Sequence, residues 1–241
     1  SHFWDPGASS RAVVWRLGAA GPNYTQEDIV QNSWSAVLTH YFLQMMPQGP
    51  YDYSVEREVY RGQTNGPLTI RPDVVVVRMQ TTVNPPGGGG APMSVTSRDI
   101  LWVECKAPNH DSAHEWKDLI EQGCNRLAQA HPNRMLFVIF GVGLKWMFFK
   151  WDPFNNASPL QVLSHNQRLV YEPNVPNQSH VRAMGNNPVP DIIDTRRAYS
   201  LNYWQTSQNN QTLMFWQDLL LLEDIIRYIV SINYQGDNPW V

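Results

Sequence analysis

ILWVECKAP, residues 100–108, is a short apolar run into which two opposite charges, Glu104 and Lys106, are set one residue apart. In a β-strand, residues i and i+2 point to the same face. Glu104 and Lys106 therefore share one face, while Val103 and Cys105 turn the other way, into a core. A carboxylate and an ammonium on so apolar a strand are costly unless they meet each other, a metal or a substrate. One reading is a buried Glu–Lys pair in an α/β sheet.

Upstream, Arg71-Pro72-Asp73 runs directly into Val74-Val75-Val76-Val77, a second apolar strand that begins with an acid. On the bland reading, Asp73 is only a strand-entry turn residue. Taken together, Pro72-Asp73 and Glu104-Cys105-Lys106 make the pattern PD…ExK. With these residues the chain resembles the PD-(D/E)xK nuclease superfamily, the restriction-endonuclease-like fold. The resemblance spans roughly residues 25–151 and implies an αβββαβ core, a central mixed sheet flanked by helices, with the acids on its second and third strands.

The order of elements read from the sequence agrees with that core. Thr25-Gln26-Glu27-Asp28 opens a helix, with Thr25 as N-cap, that runs to about Met46. Its apolar stripe is Val30, Trp34, Val37, Leu38 and Tyr41. Glu27 falls on that stripe and Asp28 is rotated about 100° away, so Glu27 points inward and Asp28 to water. Ser54–Tyr60 alternates as a strand with Glu56 and Glu58 on one face, and Leu68–Met79 forms the next. Pro85-Pro86 and the four glycines 87–90 make a loop tip, with no following Gly-Lys-Ser/Thr to bind nucleotide. After Pro108, Asp111–Ala130 reads as a helix that buries Trp116, Leu119, Ile120, Gly123 and Leu127. Strands Arg134–Phe140 and Leu144–Trp151 follow.

Outside the core, residues 1–24 read as an arm that packs rather than a domain. Residues 152–210 are rich in Pro and Asn, with a strand at Leu160–Leu163 or Arg168–Tyr171. Thr212–Asn233 is a helix apolar almost all round, either buried centrally or half of an oligomer or partner interface. The whole is expected to form one domain of 241 residues, with residues 152–241 as an extension of the core.

Phosphodiester hydrolysis needs an activated water and neutralisation of charge on the phosphate, which clustered carboxylates holding one or two divalent cations supply. The resemblance implies that Asp73, Glu104 and the backbone carbonyl of Cys105 bind Mg²⁺ or Mn²⁺. It implies that Lys106 positions or activates the attacking water. Members of the family often add an acid from the first helix, which here is Glu27; N-terminal capping explains an acid at that place equally well. Some branches place a Gln on the helix after the Lys, matched by Gln122, with a Tyr four residues on. This chain has Arg126 instead, a residue that can bind phosphate directly. Gln122, Arg126 and Gln129 lie on one helix flank. His110 and His114 have a zinc-like spacing but no third ligand, and read as exposed residues of a helix start.

The net charge of −3 argues against a general polyanion binder. Residues 56–151 are the only positive segment, with 11 Lys and Arg against 9 Asp and Glu, compatible with DNA or RNA as substrate. Two cysteines, Cys105 and Cys124, make no disulfide framework, and no apolar run is long enough for a membrane span. The expectation is a soluble intracellular protein of a reducing compartment, nucleus or cytoplasm. The chain opens at Ser1 rather than Met, as a processed chain or a piece of a longer one would. The expected activity is metal-dependent nucleic-acid hydrolysis; the alternative is a nuclease-fold domain that no longer cuts and binds protein or nucleic acid.

Overall fold

The charged strand is the middle of the sheet. It runs from Met93 to Lys106 (β3), in a computed structural model. The structure describes residues 1–44, 51–58, 70–83, 93–155, 159–162, 164–165, 168–169, 198–204 and 215–233. β1 (Asp52–Arg57), β2 (Val74–Val83) and β3 form an antiparallel meander. β4 (Leu136–Val142) lies parallel to β3, and β5 (Lys145–Trp151) antiparallel to β4. The short β6 (Leu160–Val162) pairs with one end of β5. β7 (Ser164–His165) and β8 (Arg168–Leu169) pair only with each other, and β9 (Tyr199–Ser200) pairs with the other end of β5.

Helices cover both faces of this mixed sheet, giving an α/β fold. α1 (Ser9–Ala20), α2 (Asp28–Thr39) and α4 (Phe215–Asn233) pack on one face. There they enclose Val74, Val76, Leu101, Val103, Cys105 and Ile139. α3 (Ala113–Ala130) covers the other face, over Trp102, Val138, Phe140, Met147 and Phe149. The parallel pairing of β3 with β4 requires a crossover, and α3 is that crossover. All five residues expected on the buried stripe of α3 are buried, together with Cys124. Ser112 caps the helix by accepting from the Glu115 amide at 3.3 Å.

Several boundaries move. α2 starts at Asp28, with Glu27 in the cap position, so Thr25 is not the N-cap. The helix then widens into a π-helical turn over His40–Gln44, and Met46 lies outside the described residues. The expected stripe of α2 is buried throughout. β1 ends at Arg57 because Glu58 takes a left-handed φ of 49° and donates its amide to Pro72 O, so Glu56 and Glu58 do not share a strand face. β2 begins at Val74 and outlasts Met79, since pairing with the polar half of β3 sustains it to Val83. The loop tip at residues 85–90 falls outside the described residues.

The N-terminal segment holds a helix, α1, that the sequence pattern does not announce. Only Ser10, Val14 and Leu17 are buried along it, a stripe too sparse to stand out from Gly- and Ser-rich surroundings. α4 has its apolar side covered by the chain itself: Leu222, Ile225, Ile226 and Ile229 are fully buried. A carboxylate sits among them. Glu223 accepts from the Tyr41 hydroxyl and meets His2 Nδ1 at 2.8 Å, which ties the first residues to the last helix. No described helix is long and apolar enough to cross a membrane.

Gly123 sets the distance between α3 and the sheet. A Cβ there would lie 2.4 Å from the ring of Phe140, which is fully buried. Gly123→Ala should lower unfolding free energy by about 1–3 kcal/mol, the usual cost of overpacking a core, in a urea titration. Gln122→Ala, at the exposed neighbouring position, should leave the midpoint unchanged.

Candidate active site

Register builds the site. Val74 pairs with Val103, and one more step along the same ladder sets Asp73 opposite Glu104. Directly opposed residues point to the same face, so two carboxylates meet on the α3 side of the sheet. Both are buried, Asp73 8% and Glu104 only 1% exposed. Pro72 has no N–H and its carbonyl is turned to Glu58, so the main-chain ladder stops here. The Asp73 side chain takes over as acceptor, receiving the Cys105 amide on Oδ2 at 2.6 Å.

Each expected ligand has a definite place. Glu104 receives the indole N–H of Trp102 on Oε1 and a guanidinium N–H of Arg126 on Oε2. The Cys105 thiol faces the opposite layer, in the core with Val103, and burial pushes its pKa up. Its carbonyl follows its amide: within a strand residue both point the same way, here toward β2 and Asp73. The next carbonyl, Lys106 O, faces β4 and accepts from Gly143. The Lys106 ammonium lies 3.9 Å from Glu27 Oε2. Glu104 and Lys106 are thus paired with different partners, and the simple buried Glu–Lys pair gives way to two crossed ion pairs.

Glu27 is half-buried and faces the end of β3, while Asp28 is exposed. Its side chain makes no capping bond. Gln31, one turn later, donates to Glu27 Oε1 at 3.1 Å and accepts from Arg57 at 2.9 Å. A chain of contacts Arg57–Gln31–Glu27–Lys106 therefore runs along one edge of the site. Gln122 is exposed on α3; Arg126, one turn on, is the residue of that flank that reaches Glu104. His110, in the short turn before α3, and His114, in its first turn, do not converge on the site, since each meets an acid of α3, Glu115 at 2.9 Å and Asp118 at 3.4 Å.

Trp102 and Gln31 were not expected. Both had a readable signal: Trp102 is two residues before Glu104 on one strand face, and Gln31 one helical turn after Glu27. A third feature had none. Val76 pairs with Leu101 but Val77 with Asp99, so Ile100 is the extra residue of a β-bulge. The bulge reverses the alternation and brings Asp99 to the same face as Trp102 and Glu104. Asp99 there meets His131 at 3.1 Å, and the His131 ring stands edge-on to Trp102.

Burial raises the pKa of Asp73, partly offset by the Cys105 amide and reinforced by the charge of Glu27. Burial also raises that of Glu104, and the charge of Asp73 adds to it against the pull of Arg126. The pair thus holds protons at pH values where ordinary carboxylates have lost them. Among the described residues, no three His, Cys, Asp or Glu side chains are gathered closely enough to hold a metal ion. The donors that do converge are two carboxylates and a strand carbonyl, all oxygen, the set that suits a hard cation retaining several waters rather than zinc. By donor chemistry alone the set is of the kind that Mg²⁺ or Mn²⁺ takes; Glu104 Oε1 and Oε2 are engaged by Trp102 and Arg126.

The chain matches no family model, no curated protein and no solved structure.

Folded-state pKa values raised above the unfolded ones mean that the native state binds the extra protons. The stability they contribute is complete in acid and is lost as pH rises through the folded pKa values. Between about pH 4, the ordinary carboxylate value, and the alkaline side of neutrality, the metal-free protein should lose stability in urea titrations. Glu104→Gln should remove most of that dependence. A slope unchanged in the variant would show that the carboxylate pair is not its source.

Proposed function

We propose that this chain is a metal-dependent nuclease of PD-(D/E)xK type that hydrolyses phosphodiester bonds of DNA or RNA. The observation that carries the reading is the cross-strand register, which sets Asp73 against Glu104 with Lys106 on the same face at the strand end. The order α2-β1-β2-β3-α3-β4 supports it, since the αβββαβ core expected from the resemblance has the same order. So does the positive balance of the segment that contains the site.

Asp73, Glu104 and the Cys105 carbonyl would hold Mg²⁺ or Mn²⁺, with Glu27 as an outer acid turned toward the same end of β3. A cation bound there supplies Lewis-acid polarisation and a water acidified toward neutral pH. The protein's own groups do the rest. The Asp73–Glu104 pair gives up its protons to make room for the charge, so binding is favoured by rising pH. Lys106, 27% exposed beside Glu27, presents its ammonium at the mouth of the site, where it orients the attacking water and offsets charge on the phosphate. Arg126, on the α3 flank, offers a planar fork to a phosphate oxygen pair. Gln122, exposed one turn away, faces the bound strand from the same flank.

A second reading has an observation in its favour. Both oxygens of Glu104 are taken by Trp102 and Arg126, and a site closed on itself suits a nuclease-fold module that binds protein or nucleic acid without cutting it. Labelled single- and double-stranded DNA and RNA, incubated with Mg²⁺, Mn²⁺ or EDTA, separate the two. Cleavage should require the metal and fall by about 100-fold or more in Asp73→Asn and in Lys106→Ala, with Lys106→Ala unfolding at the wild-type midpoint. Absence of cleavage together with absence of Mn²⁺ binding would leave the binding module as the function.

A further inference from the structure

Arg126 and Glu104 differ sharply in their access to solvent. The Glu104 carboxylate is 1% exposed and fixed from its other side by the Trp102 indole, whereas Arg126 is 31% exposed. The guanidinium can therefore leave and the carboxylate cannot follow. We propose that Arg126 is a substrate-operated latch: it occupies Glu104 Oε2 in the empty site, and a phosphate of the nucleic acid draws it away and frees that oxygen for the divalent cation. The latch rests on the nuclease reading above and gives that site an order of assembly.

The energetics require two ligands acting together. Phosphate alone would take Arg126 but strand a buried Glu104 beside Asp73, and removing one partner of a buried ion pair is strongly unfavourable. Cation alone would bring its charge up against a guanidinium still docked on the same carboxylate. With both present, every charge has a partner: Glu104 and Asp73 face the cation, and Arg126 binds the phosphate through its two-pronged face. Phosphate and cation consequently bind with positive coupling, transmitted through a single side chain. Lys106 and Glu27 form no equivalent latch, because both are partly exposed and water can replace either partner.

The test is Mn²⁺ binding, followed by calorimetry, with and without thymidine 3′,5′-bisphosphate, which offers phosphates but no phosphodiester bond to cut. In the wild type the bisphosphate should tighten Mn²⁺ binding about tenfold, within the usual range of coupling between sites, and Mn²⁺ should tighten bisphosphate binding by the same factor. Arg126→Gln should bind Mn²⁺ more tightly than wild type when no phosphate is present, so that the bisphosphate adds little. Simple removal of a positive charge would strengthen binding in both conditions alike and leave the tenfold ratio intact, and that result overturns the latch. Equal or weaker Mn²⁺ binding by phosphate-free Arg126→Gln overturns it too, as does wild-type binding indifferent to the bisphosphate. Failure of both forms to bind Mn²⁺, with or without the bisphosphate, would overturn the nuclease reading along with it. Thermal melts verify folding, and if Arg126→Gln does not fold, Arg126→Met, which keeps the stem and loses the charge, carries the same comparison.

Discussion

Two carboxylates forced to face each other across a buried strand pair are the constraint around which this molecule is arranged. Strand register leaves Asp73 and Glu104 no freedom to separate, since a one-residue slip would turn the whole apolar set of β2 out of its layer. Their proximity must be made tolerable in place. A main-chain amide, an indole N–H and a guanidinium are each aimed at one of the two side chains, while burial pushes both pKa values up. An arrangement of this kind is a poor way to stabilise a fold. It concentrates acceptor oxygens at one buried point of the sheet instead.

Other parts of the structure serve that position at a distance. Gly123 lets α3 come close enough for Arg126 to reach across; a Cβ there would also lie only 3.5 Å from Glu104 Cγ. Pro72 ends the main-chain ladder where the Asp73 side chain must take over. On the far side of the sheet, α2 carries Glu27 to the end of β3 and Gln31 fixes its orientation. The three elements belong to different stretches of sequence and meet only because β3 is central.

The sequence announces those features that periodicity determines. The stripe of α3, the inward turn of Glu27, the shared face of Glu104 and Lys106 and the alternation of strands with helices all follow from repeats of 2.0 and 3.6 residues. Features set by partners remote in sequence are not legible that way. Arg126 can be placed on a helix flank from spacing alone, but its contact with Glu104 depends on how closely α3 sits, which no local pattern encodes. The inward-facing Glu223 looks like any acid on a helix until Tyr41 and His2 arrive from the other end of the chain. The helix at Ser9–Ala20 is missed because tertiary packing, not its own amphipathicity, decides it. Strand ends are displaced for the same reason: β2 and the outer half of β3 lend each other length.

The bulge at Ile100 divides β3 into two independently phased segments. Inward of it, Leu101 to Lys106 are locked between Val74–Val76 and β4; outward, Met93 to Ser97 pair with β2 alone and lie exposed. A phase break of this kind acts as an insulator. A shift of pairing in the outer segment, Met93 to Ser97 against Met79 to Val83, can be taken up at the bulge while the ladder from Leu101 inward keeps its register. The outer segment is thereby free to vary, and Glu104 stays opposite Asp73 whatever it becomes.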